Sequence, residues 1–254
     1  MAMAQHASLS CSTTWRELTS TSWRDNDYRR MVMACLIEAV YLLELERQER
    51  RDAAAVAQQW WKPFQYRLAH ELVDDRDGSV FGAIFERDHH LLDGDRPSGA
   101  PSAVIAFRGT LLRAPTIRRD VEDELRLVAW NSLRGSARLA RAMQALRATI
   151  DQFGSENVCV CGHSLGAGFA RQVGRMLMAS PRRQPQQQAA LEFHLFNAPY
   201  LSLPMGVSSV VKTAGCLLKA LRSGVGRWHG KALRNVAYAN CILGYTRLES
   251  CRRL

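Results

Sequence analysis

The sequence predicts an α/β fold: a mostly parallel sheet flanked by helices. Three observations carry this. Short unbroken apolar runs, "SAVIAFRGT" and "NVCVC", have the make-up of strands buried on both faces. Apolar stripes at helical spacing lie between such runs, most clearly in "SLRGSARLARAMQALRATIDQF". Strand and helix then alternate over about 100 residues, the order that builds parallel sheets.

Residues 1–22 are rich in Ser and Thr without periodicity and are expected to form a disordered tail, leaving 23–254 as a single domain. From Asn26 a helix is predicted, with Met33, Leu36, Val40 and Leu43 on one face. "WWKPFQYRLAHELVDD" is read as a Pro-started helix with Phe64, Leu68 and Leu72 inward. "SVFGAIFER" follows as a strand, then the polar loop "DHHLLDGDRPSGAP". "SAVIAFRGT" is the next strand. The long helix after it carries Leu133, Ala137, Ala140, Met143, Leu146 and Ile150 as its stripe, with arginines opposite. "NVCVC", "LGAGFARQVGRMLMA" and "LEFHLFNAP" read as strand, helix and strand. A helix over Val210 to Leu221 and a strand in "ALRNVAYAN" complete the series, the helix packing on the sheet or lining a pocket.

Composition narrows the function classes. Hydrophobic residues make up 47% of the 254 and charged residues 23%, an ordinary globular balance. The net charge of +10 comes almost entirely from arginines scattered beside acids, as in "LERQERRD", and no nucleic-acid motif accompanies them. Seven cysteines without regular spacing form no disulfide framework. Cys159 and Cys161 share one strand face and read as small core residues rather than metal ligands. His89 and His90, beside Asp88 and Asp93, read as a solvated loop for want of ligand spacing. The N-terminus lacks signal-peptide character and no 18-residue apolar run exists, so an intracellular, cytoplasmic protein is expected.

The chemistry concentrates in "VCVCGHSLGAGFA". Gly162-His163-Ser164-Leu165-Gly166 matches G-x-S-x-G, with a strand before it and a helix after. A serine on so sharp a turn projects its hydroxyl from the sheet, and Gly162 and Gly166 remove the bulk that would clash two residues away. The Leu165 N–H, at the helix N-terminus, is placed to meet a developing oxyanion. "AFRGT" ends the neighbouring strand, where a second donor from Thr110 is expected. Asp120, Asp123 and Glu124 read as the polar start of a segment covering the site.

"VIAFRGT", a long helix, "GHSLGAGFA" and "FNAP", with "YLLELERQERRD", "WWKPF" and "FGAIFER" upstream, resemble the class 3 (fungal-type) lipases. The plant members labelled GDSL esterase/lipase are especially similar, and the likeness runs from about residue 25 to 226. It implies an α/β-hydrolase fold and hydrolysis of acyl esters or lipids through an acyl-enzyme on Ser164, with Thr110 and Leu165 as oxyanion hole. No cofactor is implied. The partner is an ester or lipid substrate, with peripheral contact to a lipid surface; nothing in the sequence sets an oligomeric state.

The resemblance stops short of a triad. In this fold the acid and then the histidine follow the serine. After Ser164 the acids are Glu192 and Glu249 and the histidines His194 and His229. Glu192 and His194 fall inside a strand, and no histidine follows Glu249. Asn240 stands where a carboxylate is expected. His229, on a loop, is left as a makeshift base. The fold is therefore expected to be truncated or diverged at its C-terminal end, and the chain weak or inactive. A non-catalytic relative that binds an acyl ligand or a protein partner is the alternative.

Overall fold

The computed structural model describes residues 22–49, 59–88, 99–111, 116–179 and 191–198. The predicted helix at 210–221, "ALRNVAYAN", His229 and Glu249 lie outside them, as do His89, His90 and Asp93. Among the described residues, five strands form one sheet in the order β1 (Tyr66–Val73), β2 (Val80–Arg87), β3 (Ala103–Phe107), β4 (Val158–His163), β5 (Glu192–Phe196). The pairings β1–β2 and β2–β3 are antiparallel; β3–β4 and β4–β5 are parallel. The parallel half is the half that carries the serine motif, and with its flanking helices it gives an α/β-hydrolase-like fold.

Alternation along β3 explains why the whole strand is apolar. Val104 and Ala106 join a core beneath α1 (Asn26–Glu49), with Met33, Leu36 and Val40. Ala103, Ile105 and Phe107 join a second core on the opposite face, under α3 (Ala137–Phe153) and α4 (Leu165–Met178). A strand covered on both faces has no polar side to show. Between β3 and α3 lies α2 (Ile117–Trp130).

Helix ends follow local chemistry. Asp25 Oδ1 accepts the Asp27 and Tyr28 N–H groups at 2.8 and 3.3 Å and opens α1. Ser136 accepts from the Leu139 N–H at the start of α3. Among the described residues no helix is long and apolar enough to cross a membrane.

Two readings are corrected. "WWKPFQYRLAHELVDD" is not a helix. It makes one 3₁₀ turn, Lys62–Phe64, which stops at Gln65 in the left-handed region (φ 62), and then becomes β1. Register shifts at Leu68/His70 and Leu72/Val73 break the two-residue period. Leu68 therefore packs into the α1 core and Leu72 into the opposite one, although their spacing of four mimics one helical face. The stripe on α3 is also displaced. Ala137 and Ala140 face solvent, while Leu139, Ala142, Met143, Leu146 and Ile150 are buried. Arg138, assigned to the solvent side, is buried among acids.

Candidate active site

The carboxyl ends of β3, β4 and β5 bring together Arg108–Thr110, Ser164 and Asn197, the edge at which parallel sheets offer ligand sites. Ser164 is the single residue between β4 and α4, with φ 52 and ψ −120. This is a strained backbone for any residue with a Cβ. Its N–H donates to Phe196 O at 2.9 Å, and its carbonyl accepts the Gly168 N–H at 3.1 Å.

The flanking glycines are demanded by contact. A Cβ on Gly162 would stand 2.3 Å from Gly166 O, and one on Gly166 would stand 2.3 Å from Phe107 O. Gly109 is as tightly confined: its Cβ would lie 3.0 Å from Ser164 Cβ and 2.5 Å from Tyr41 Oη. The end of "AFRGT" is thus pressed against the serine turn. Leu165, buried, is the first residue of α4, so its N–H has no intrahelical carbonyl to bind.

The Thr110 hydroxyl is not left for a ligand: Thr110 Oγ1 bonds Glu124 Oε2 at 2.9 Å. Burial raises the Glu124 carboxyl pKa, the Thr110 contact lowers it and Asp120 raises it further. Asp120 and Asp123, which read from sequence as the polar start of a segment covering the site, are buried. Asp120 accepts the Leu111 N–H and Arg108 Nη1, each at 2.7 Å, and Arg138 Nη1 at 2.6 Å. Arg108 also donates to Val80 O and Gly109 O, and Arg138 to Asp74 and Ser79. The backbone on both sides of Thr110 is therefore anchored to charges out of water. Arg138 stays charged: burial works against it, and Asp120 and Asp74 outweigh burial and raise its pKa.

His163 faces away from catalysis. Its Nδ1 lies 2.9 Å from Tyr41 Oη and its Nε2 3.4 Å from Asn197 Nδ2. Burial lowers its pKa from the ordinary 6.5 to about 4, so it is neutral near pH 7. Tyr41 Oη also accepts the Gly109 N–H at 2.7 Å, joining α1 to both sides of the serine turn. Nothing local signals this role, because Tyr41 sits in an apolar helix and reads as core. The other described histidines stand elsewhere: His70 is exposed on the outermost strand, and His194, on β5, is 2.9 Å from Glu192. Among the described residues no acid–histidine pair is turned to Ser164.

No family model matches the chain. The chain is 34% identical over 193 residues to the GDSL esterase/lipase At4g10955 of Arabidopsis thaliana, covering 74% of its own length and 53% of that protein. It thus spans about half the length of this curated relative. The solved structure of the extracellular lipase LipA from Serratia marcescens matches 60% of this chain and 28% of its own, at 18% identity and a TM-score of 0.36. By sequence, the chain is related across three quarters of its length to a plant protein of the esterase/lipase group.

Proposed function

We propose that this chain is a serine carboxylic-ester hydrolase of the lipase/esterase type, acting on acyl esters or lipids. The observation that carries the reading is Ser164, held at φ 52 between a buried strand and a helix N-terminus with the Gly109–Thr110 turn against it. In this reading the hydroxyl attacks the ester carbonyl carbon, and the alcohol leaves as the acyl-enzyme forms. The N–H groups of Thr110 and Leu165 take the oxyanion, helped by the positive end of α4. Water then releases the acid and restores the serine. His229 is the base in this scheme. The class 3 assignment belongs to the same proposal and rests on GHSLG, which the chain carries in place of a Gly-Asp-Ser-Leu motif.

Turnover by this chain is weak in this reading. No acid is assigned to fix the tautomer of His229, and a base without one loses most of its effect. The decisive experiment is fluorophosphonate labelling of the purified chain beside Ser164→Ala, followed by p-nitrophenyl ester hydrolysis by wild type, Ser164→Ala and His229→Ala. Labelling that disappears in Ser164→Ala, with slow ester turnover lost in both variants, is expected. Turnover of order 1–10³ s⁻¹ would show that a complete triad exists. Absence of labelling, with retained binding of an acyl ligand, would favour the non-catalytic reading, which the orientation of the described histidines supports.

A further inference from the structure

At the other end of the same two strands, on the α1 face of the sheet, sulfur, nitrogen and oxygen donors meet. Cys159, second residue of β4, is in parallel register with Glu192, first residue of β5, and His194 lies two residues further on. One ligand atom from each of Cys159, Glu192 and His194 falls within 4.8 Å of the others. A point shared by three atoms so spaced lies within about 2.8 Å of each, so shifts of under about 1 Å reach ordinary zinc–ligand lengths. Cys159 is five residues before Ser164 along a strand, which puts the cluster roughly 16 Å from the serine.

We propose that Cys159, Glu192 and His194 form a binding site for a divalent metal ion of the zinc type, separate from the serine site. The donor set is thiolate, imidazole and carboxylate, which suits zinc and suits magnesium or calcium poorly. Bound thiolate and carboxylate balance the two positive charges of the ion, and the thiol proton passes to solvent on binding. His194 supplies an independent sign. The residue is 6% exposed, and its Nε2 is fully buried. That nitrogen sits 2.9 Å from Glu192 Oε1, yet not in hydrogen-bonding geometry, so a buried polar atom is left without a well-aimed partner.

The surroundings fit a metal as well. Arg29, from α1, holds the other carboxylate oxygen, Glu192 Oε2, and so orients Oε1 toward His194 as an outer partner would. Met33 Sδ, 3.8 Å from Cys159 Sγ, closes the interior side, and the Glu192 side chain, 40% exposed, leaves a way in. An ion here would tie the starts of β4 and β5 together. From sequence alone Cys159 reads as a plain core residue, because its partners lie more than 30 residues away and meet it only through sheet register.

The test uses the full chain, stripped with a chelator and then given zinc or cobalt(II). Uptake of one zinc per chain, a higher melting temperature with zinc, and a thiolate-to-cobalt charge-transfer band are expected. Cys159→Ala should abolish the band, and His194→Gln should weaken binding tenfold or more. Cys161→Ala, on the same strand face, should change neither. If Cys159→Ala does not fold, His194→Gln decides alone. No uptake by the wild type, a band that survives Cys159→Ala, or unchanged affinity in His194→Gln would overturn the site.

Discussion

Ser164 holds a backbone conformation that most side chains avoid, and its neighbours show what keeps it there. The Gly162 position has no room for one carbon against Gly166 O, so Gly162→Ala must push two backbones apart. We expect it to cost about 1–3 kcal/mol or more by urea unfolding; a cost near zero would show that the turn relaxes freely. Tyr41→Phe takes from the Gly109 N–H its buried acceptor and from His163 Nδ1 its partner. A loss of about 1–3 kcal/mol is expected, together with fainter fluorophosphonate labelling. His163 gives a pH signature. Its folded pKa of about 4 lies below the ordinary 6.5, so between these values the unfolded chain binds the proton and the folded chain does not. Its contribution is complete above pH 6.5 and is lost as pH falls toward 4, roughly 3 kcal/mol in all. Urea midpoints at pH 4.5 and 7 should differ more in wild type than in His163→Gln; equal differences would remove the claim.

At the scale of elements, the paired arginines decide how α2 and α3 meet the sheet. Arg138 is buried and bonded to Asp74 on the β1–β2 turn and to Asp120 on α2. Removing it in Arg138→Met leaves the buried Asp74 without Arg138 and Asp120 with Arg108 as its remaining cation, a loss of about 3–5 kcal/mol. Arg138→Lys has one ammonium where a fork of donors is needed, and should recover only part of that. A measured cost under about 1 kcal/mol would mean that water reaches the network. The β1 segment teaches the complementary lesson. Phe64, Leu68 and Leu72 recur every four residues, and a helix is the natural reading of that spacing. Pro63, the left-handed Gln65 and two register shifts decide otherwise, and pairing with β2 holds the segment extended. A bulge cannot be read from spacing, because it changes the period itself.

For the whole molecule, the shared sheet joins the two apolar cores, since β3 and β4 contribute to both. Leu36→Ala under α1 and Leu146→Ala under α3 should therefore each move one common unfolding transition, by about 2–5 kcal/mol. Two separate transitions by fluorescence and far-ultraviolet circular dichroism would show independent halves. Much of this architecture was legible beforehand. Unbroken apolar runs identified β2, β3 and β4, and the strand–turn–helix context around Ser164 identified the candidate nucleophile. Those features are local: strand burial, helical periodicity and the need for glycine beside a tight turn are written within a few residues of one another. The partners of that turn were not legible. Tyr41 is 122 residues from His163, and Asp120 and Glu124 read as the polar start of a covering segment until Arg108, Arg138 and Thr110 close on them. Cys159 and His194 likewise become neighbours only through parallel register. The sequence by itself determined the α/β class, the order of most elements and the serine at the strand-to-helix turn, because short-range sterics and apolar period set them. Tertiary structure alone decided which charges lie out of water and which distant side chains hold the serine turn, because burial and long-range pairing exist only once the sheet has formed.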